Sequence, residues 1–256
     1  MLRYVVEAGA AVQRLFQPSL TRAEFIRSIP TEGLILEIGP GSAPVVRGQN
    51  VRYFDVKDQS QLIDRARVSS EDETGCPHID YKSETADLGI IDERFDAIVS
   101  SHSIEHQPDL VRHLQSVAGL LNPGGRYFLA VPDKRFCFDH FAKLSEPRDA
   151  EMAFQERRGN HPPSTVKDHY RRHTHNSPLR HWVGVHGKPG VLGQPENLEA
   201  MLADAAAGRY VDAHAWAFTP KAFAEIVEAT EKLHGLRVES ISPTRFGSLE
   251  FFAVLR

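Results

Sequence analysis

Two groups of residues in this chain have the types and spacing to do chemistry. The first is Glu37-Ile38-Gly39-Pro40-Gly41, at the end of the apolar run 34–38. A glycine turn directly after a strand lets the backbone approach a ligand where any Cβ would clash. It falls at the carboxyl end of that strand, where open α/β sheets bind their ligands. Asp55 ends the next apolar run, 51–55. A carboxylate there can accept both ribose hydroxyls of an adenosine. Turn and carboxylate together suit a dinucleotide, a nucleotide or an adenosine cofactor without phosphates. Ala43-Pro44 stand where a helix would open beneath a pyrophosphate, and little chain separates Gly41 from Val51. That poor phosphate cradle favours the phosphate-free cofactor.

The second group is histidines, which suit proton transfer near neutral pH. His106 follows the apolar run 95–100 beside Glu105, and reads as an acceptor-side base or as a helix-entry residue bonded to backbone. His169, in Asp168-His169-Tyr170, reads as a base on a cap or as part of a solvated insertion. His214, near Asp212 and Trp216, reads as a base at the pocket rim or as a buried, hydrogen-bonded structural residue. On a helix His169 and His173 share a face. Arg171 and Arg172 oppose a cation there, and with His175 and Asp168 the spacing matches no zinc motif, so no metal is assigned. Arg157-Arg158, Arg171-Arg172 and Arg180 form a solvated basic face or forks for an anionic acceptor. Trp182, Trp216 and Phe218 serve as an aromatic wall or as core.

The elements that must position these residues follow from periodicity. Residues 2–16 have helical period, Pro18 ends them, and Thr21-Arg22-Ala23-Glu24 is a capping box for a second helix through Ile29. Strands are expected at 34–38, 51–55, 78–81, 95–100 and 126–131, with helices at 61–67 and from Pro108-Asp109 to Leu121. Asn122-Pro123-Gly124-Gly125 stops the last of these. Residues 133–214 are irregular, hold most of the chain's 13 histidines, and are broken by prolines. Short helices are expected there at 149–157 and 196–206; so long a non-periodic stretch in a compact domain is usually functional. Thr219-Pro220 opens a helix through Leu233, and strands at 236–242 and 249–255 end the chain. Alternating β and α units closed by two successive strands give a mostly parallel sheet with an antiparallel hairpin.

The bulk numbers bound the partners. The 256 residues suit one α/β domain with an insertion, and the formal charge of −4 offers no nucleic-acid footprint. The two cysteines are far apart and read as free thiols of a reducing compartment. The amino-terminal segment lacks a signal peptide's apolar core, and no stretch approaches the roughly 20 apolar residues of a membrane span. A cytoplasmic protein is expected.

In order along the chain, Ile35-Leu36-Glu37-Ile38-Gly39-Pro40-Gly41, Asp55, the segment Phe95-Asp96-Ala97-Ile98-Val99-Ser100-Ser101-His102-Ser103-Ile104-Glu105-His106, and Leu120-Leu121-Asn122-Pro123-Gly124-Gly125 resemble class I S-adenosylmethionine-dependent methyltransferases of the small-molecule, type 11-like branch. The resemblance covers residues 30–132 by motif and 217–256 by element order. It implies a Rossmann-like fold with a seven-stranded sheet and helices on both faces. Residues 1–30 are then amino-terminal helices, 31–132 with 215–256 the cofactor domain, and 133–214 an inserted cap. Glu37 is expected near the amino-acid portion of S-adenosylmethionine, Gly39 and Gly41 against its backbone, Asp55 on the ribose and Glu84 near the adenine, with Asp80 or Asp87 as alternatives. Ser101 and His102 are expected to border its methionine side. His106, His169 and His214 are the candidate catalytic residues. The enlarged segment after the fifth strand resembles a bacterial subgroup placed with cell-surface glycans or secondary metabolism.

The implied activity is O- or N-methylation of a small molecule or glycan precursor, and no nucleic-acid partner is expected. Two other functions fit the same architecture. One is a catalytically silent S-adenosylmethionine-binding module with a protein partner. The other is an NAD-dependent enzyme, which the missing third glycine disfavours. The amino-terminal helices are available to cover the pocket or to make a homodimer contact.

Overall fold

The computed structural model describes residues 16–193 and 195–256. The helix expected over 2–16 lies outside them, apart from Phe16. The expected capping box at Thr21 is formed: its hydroxyl accepts from the Glu24 N–H, and the Glu24 carboxylate accepts from the Thr21 N–H, opening helix α1 (Arg22–Ser28). Strands β1 (Ile35–Ile38) and β2 (Val51–Asp55) follow, then α2 (Gln59–Ser69), β3 (Tyr81–Lys82) and β4 (Phe95–Ser101). Helix α3 (Leu110–Leu120) is capped by the Asp109 side chain. It leads into β5 (Leu121–Pro132), which begins earlier than the glycine pair suggests; a register shift opposite Phe95 and Ala97 absorbs the residues around Gly124 and Gly125. Helices α4 (Pro147–Gln155), α5 (Pro163–Arg172), α6 (Pro178–Trp182) and α7 (Leu198–Ala206) come before α8 (Pro220–His234). Gly235, at φ +82°, ends α8. Strands β6 (Val238–Ser242) and β7 (Glu250–Leu255) complete one seven-stranded sheet in the order β3-β2-β1-β4-β5-β7-β6. Only β7 runs antiparallel to its neighbours.

All four β1 residues are buried, as a central strand covered on both faces requires. Alternation sends Leu36 and Ile38 into the larger core and Ile35 into the smaller. The larger core lies under α3, α4 and α8, with Phe95, Leu114, Tyr127 and Phe223 fully buried. Each of the buried phenylalanines and Leu114 contributes about 1.5–3 kcal/mol relative to exposure. The smaller is covered by α1, whose Phe25 stacks on Phe252 at 4.4 Å.

The segment 133–214 divides by packing. Ala150 and Ala153 of α4 are fully buried in the larger core, against α3 and α8. Helices α5 and α7 pack on each other around Val166, Leu198, Ala205, Val211 and Ala213, a separate small core. Trp182 at the end of α6 stacks on Phe136 at 3.8 Å and donates to the Ser248 carbonyl, whereas Trp216 and Phe218 are core residues. No helix among the described residues is long and apolar enough to cross a membrane.

Candidate active site

The carboxyl ends of β1, β2 and β4 meet at the glycine turn. Gly39 and Gly41 adopt φ +70° and +55°, a region that disfavours side chains. A Cβ on Gly39 would also come 3.1 Å from the Ser103 hydroxyl. No helix follows: among the described residues the segment between β1 and β2 is a loop. Glu37 holds that loop, its two carboxylate oxygens accepting the Val45 N–H at 2.7 Å and the Val46 N–H at 3.0 Å. Burial pushes the Glu37 carboxyl up to about 7, against the two N–H donors, which favour its charged form.

Gly39, Gly41, Asp55, His102 and His106 line one cavity at this edge. Asp55 is nearly buried, and one of its oxygens accepts the Lys57 N–H at 2.9 Å. Burial raises its pKa, with the Lys57 N–H and charge pulling the other way. Glu37 does not line this cavity. Glu84 is exposed in the turn after β3, and Ala86 takes the wall there. Asp80 accepts the Tyr53 N–H, and Asp87 caps a 3-10 turn. Ser101 accepts from Arg22 of α1 and lines neither this cavity nor the larger one beside it. Sequence reasoning missed Tyr210, Arg65 and Lys57 in this wall, because Tyr210 returns from the far end of the cap.

The larger cavity, about 750 Å³, lies between the sheet edge and part of the segment 133–214, and His106, His169 and His214 all line it. Arg65 lines it too, whereas the arginines of the cap's basic run do not. His102 sits at φ +51°, unusual for a residue with a side chain, its N–H donating to the Ala130 carbonyl. Its Nε2 lies 2.9 Å from Glu250, which Arg22 also holds at 2.7 Å. Burial works to lower the His102 pKa, but Glu250 and Glu105 raise it overall. The 3-10 turn Ile104–His106 places Glu105 inward, fully buried. Its carbonyl accepts the Ala215 and Trp216 N–H groups, and the Trp216 indole donates to the Gln107 carbonyl at 2.6 Å. Those bonds bring His214 against His106, ring centroids 4.4 Å apart.

The three histidines differ in their partners. His106 Nδ1 lies 2.7 Å from Asp212 Oδ1, off the axis of a good hydrogen bond. Burial opposes its charge, and Asp212, Glu105 and Asp139 outweigh burial to raise its pKa. His214 Nδ1 is bonded to the buried Asp139 at 2.6 Å. His169 Nδ1 accepts the His214 N–H at 3.1 Å and faces His173 Nε2 at 3.0 Å. Burial, then the neighbouring His173 and His214, pushes His169 down to about 2, so it stays neutral.

A family model described as a methyltransferase domain matches residues 8–231. Ubiquinone biosynthesis O-methyltransferase of Paramagnetospirillum magneticum is 34% identical over 128 residues, 48% of this chain and 49% of that protein. The protein of that name from Cereibacter sphaeroides is 37% identical over 114 residues, 40% of this chain and 44% of its own. The chain thus spans about half the length of the curated relatives it matches. The CcbJ methyltransferase of Streptomyces caelestis is 12% identical with a TM-score of 0.47, covering 92% of this chain and 93% of its own. With its family model matched over most of its length, the chain belongs to the class I S-adenosylmethionine-dependent methyltransferases.

Proposed function

We propose that this chain binds S-adenosylmethionine in the glycine-turn cavity and transfers its methyl group to an oxygen or nitrogen of a small molecule or glycan precursor held in the larger cavity. The observation that carries this reading is the shared wall: Arg65, His102, His106 and Asp212 line both cavities, so a sulfonium in one faces an acceptor in the other. Asp55 binds the ribose, and Gly39 and Gly41 admit the cofactor's backbone-side contacts. The methyl–sulfur bond breaks as the methyl–acceptor bond forms, and the acceptor's proton leaves to one of His106, His169 or His214 or to solvent. Alignment and water exclusion supply the rate. Arg65 supports an anionic acceptor. The O-methyltransferase names of the curated relatives support oxygen as the accepting atom.

Calorimetry with S-adenosylmethionine tests this. The wild type binds one equivalent. Asp55→Ala loses charge-assisted hydrogen bonds, each worth about 1.5–3 kcal/mol, and so weakens affinity by at least about tenfold. Gly39→Val abolishes binding, because φ +70° disfavours a side chain there and its Cβ would crowd the Ser103 hydroxyl. No heat at millimolar cofactor with folded protein overturns the reading.

A further inference from the structure

The Glu105 carboxylate is fully buried, and neither oxygen has a hydrogen-bond partner among the described residues. A carboxylate so placed requires a cation or a proton of its own. Three imidazole nitrogens face its Oε1: His106 Nε2 at 3.8 Å, His214 Nε2 at 3.9 Å and His102 Nδ1 at 3.9 Å. These separations are too long for hydrogen bonds. They are close to the spacing of ligands around an ion, since two donors about 2.1 Å from one tetrahedral zinc stand ~3.4 Å apart. The ligand atoms of Glu105, His106 and His214 lie within 4.8 Å of one another.

The surroundings match what metal ligands need. A ligating histidine commonly gives its second nitrogen to a carboxylate, which fixes the tautomer and frees the other lone pair. Asp139 does this for His214, and Asp212 stands 2.7 Å from His106 Nδ1. Glu105, His106 and His214 also line the larger cavity, so a fourth position would open onto it. Two further groups have ligand atoms as close together, but theirs are already engaged. The His140 and His186 rings stack at 3.8 Å and 11°, and His181 bonds to His186 Nδ1 and to the His175 carbonyl. In Asp139, His169 and His173, Asp139 is bonded to His214 Nδ1 and His169 Nδ1 accepts the His214 N–H. The sequence marks His106 and His214 as candidate catalytic residues but not their convergence on Glu105, because these ligands come from two segments far apart in the chain.

We infer that Glu105, His106 and His214 form a divalent transition-metal site with one open coordination position on the larger cavity, whether or not the neighbouring cavity takes S-adenosylmethionine. Two histidines, one carboxylate and an open position form the ligand pattern of a catalytic rather than a structural metal.

Chelator-treated protein titrated with Co²⁺, followed by calorimetry and visible absorption, tests this without cofactor or acceptor. One equivalent binds and develops the bands of nitrogen- and oxygen-ligated cobalt; azide then shifts them by entering the open position. Glu105→Gln and His214→Ala each weaken binding by at least about 100-fold, and Asp139→Asn by about 10- to 100-fold. His186→Ala leaves the titration unchanged. Circular dichroism verifies the fold of each variant, and if Glu105→Gln does not fold, His214→Ala decides. Absence of binding at millimolar Co²⁺, or binding indifferent to His214→Ala, overturns the site. Bands that azide leaves unmoved overturn the open position.

Discussion

His106, His169 and His214 line one cavity, but their ring nitrogens are engaged differently, and this separates their expected roles. His106 and His214 each set Nδ1 beside an aspartate and turn Nε2 toward Glu105. His169 has its Nδ1 taken by the His214 N–H and is held near pKa 2 by burial and its histidine neighbours. A base that weak takes up little of an acceptor's proton near neutral pH. Its visible work is to hold the backbone of His214. His106→Ala and His214→Ala are therefore expected to lower kcat by about 10²-fold or more, the usual size of a positioned proton-transfer or charge-stabilising group. His169→Ala is expected to lower it by less than about tenfold. The check is S-adenosylhomocysteine formation with the acceptor found by screening; a His169→Ala loss as large as that of His106→Ala would restore His169 as the base.

The element with the most to explain is the loop between β1 and β2, where a crossover helix is missing. A helix there would satisfy its own N–H groups, whereas the loop hands those of Val45 and Val46 to Glu37. Glu37 lies on the same face of β1 as Ile35, beneath that loop, and so carries the turn without touching the cavity. Its folded pKa of about 7 stands above the ordinary 4.5. The stability tied to its proton is thus whole below about pH 4.5 and is lost as pH rises through 7. The difference between wild type and Glu37→Gln, by urea unfolding, should change by on the order of 3 kcal/mol across that window; a flat difference would mean that Glu37 is ionised throughout. The truncated crossover was legible in the sequence because Ala43-Pro44 and the short spacing to Val51 are local facts. So were the Thr21 and Asp109 caps, the Thr219-Pro220 helix start and Gly235. Helices α5 and α6 were not legible: they are short and proline-initiated, and each buries one residue, Val166 and His181, too few to set a period. The approach of His214 to Glu105 was equally hidden, since backbone bonds from Ala215 and Trp216 make it.

At the scale of the whole molecule, the two cores set which parts can open independently. The larger core runs from Leu36 to Leu255 and includes α4, so the carboxyl-terminal helix and strands are bound to the sheet. The small core under α5 and α7 rests on five buried side chains, three of them from the helices and two from the segment returning to the sheet. A cluster of that size buries little apolar surface and opens at low free energy. Yet it supports His169 and the chain that carries Tyr210, Asp212 and His214 into both cavities. Val166 is fully buried at its centre, and Val166→Ala removes two methyl groups there. The expected cost is about 1–3 kcal/mol, confined to this unit. Amide hydrogen exchange should accelerate across 163–172 and 198–214 while β1, β4 and β5 keep their protection. Turnover should then fall at urea concentrations at which the sheet is still folded. Equal acceleration in the sheet strands would mean that cap and sheet unfold as one cooperative unit, and the active site would then be as stable as the fold that carries it.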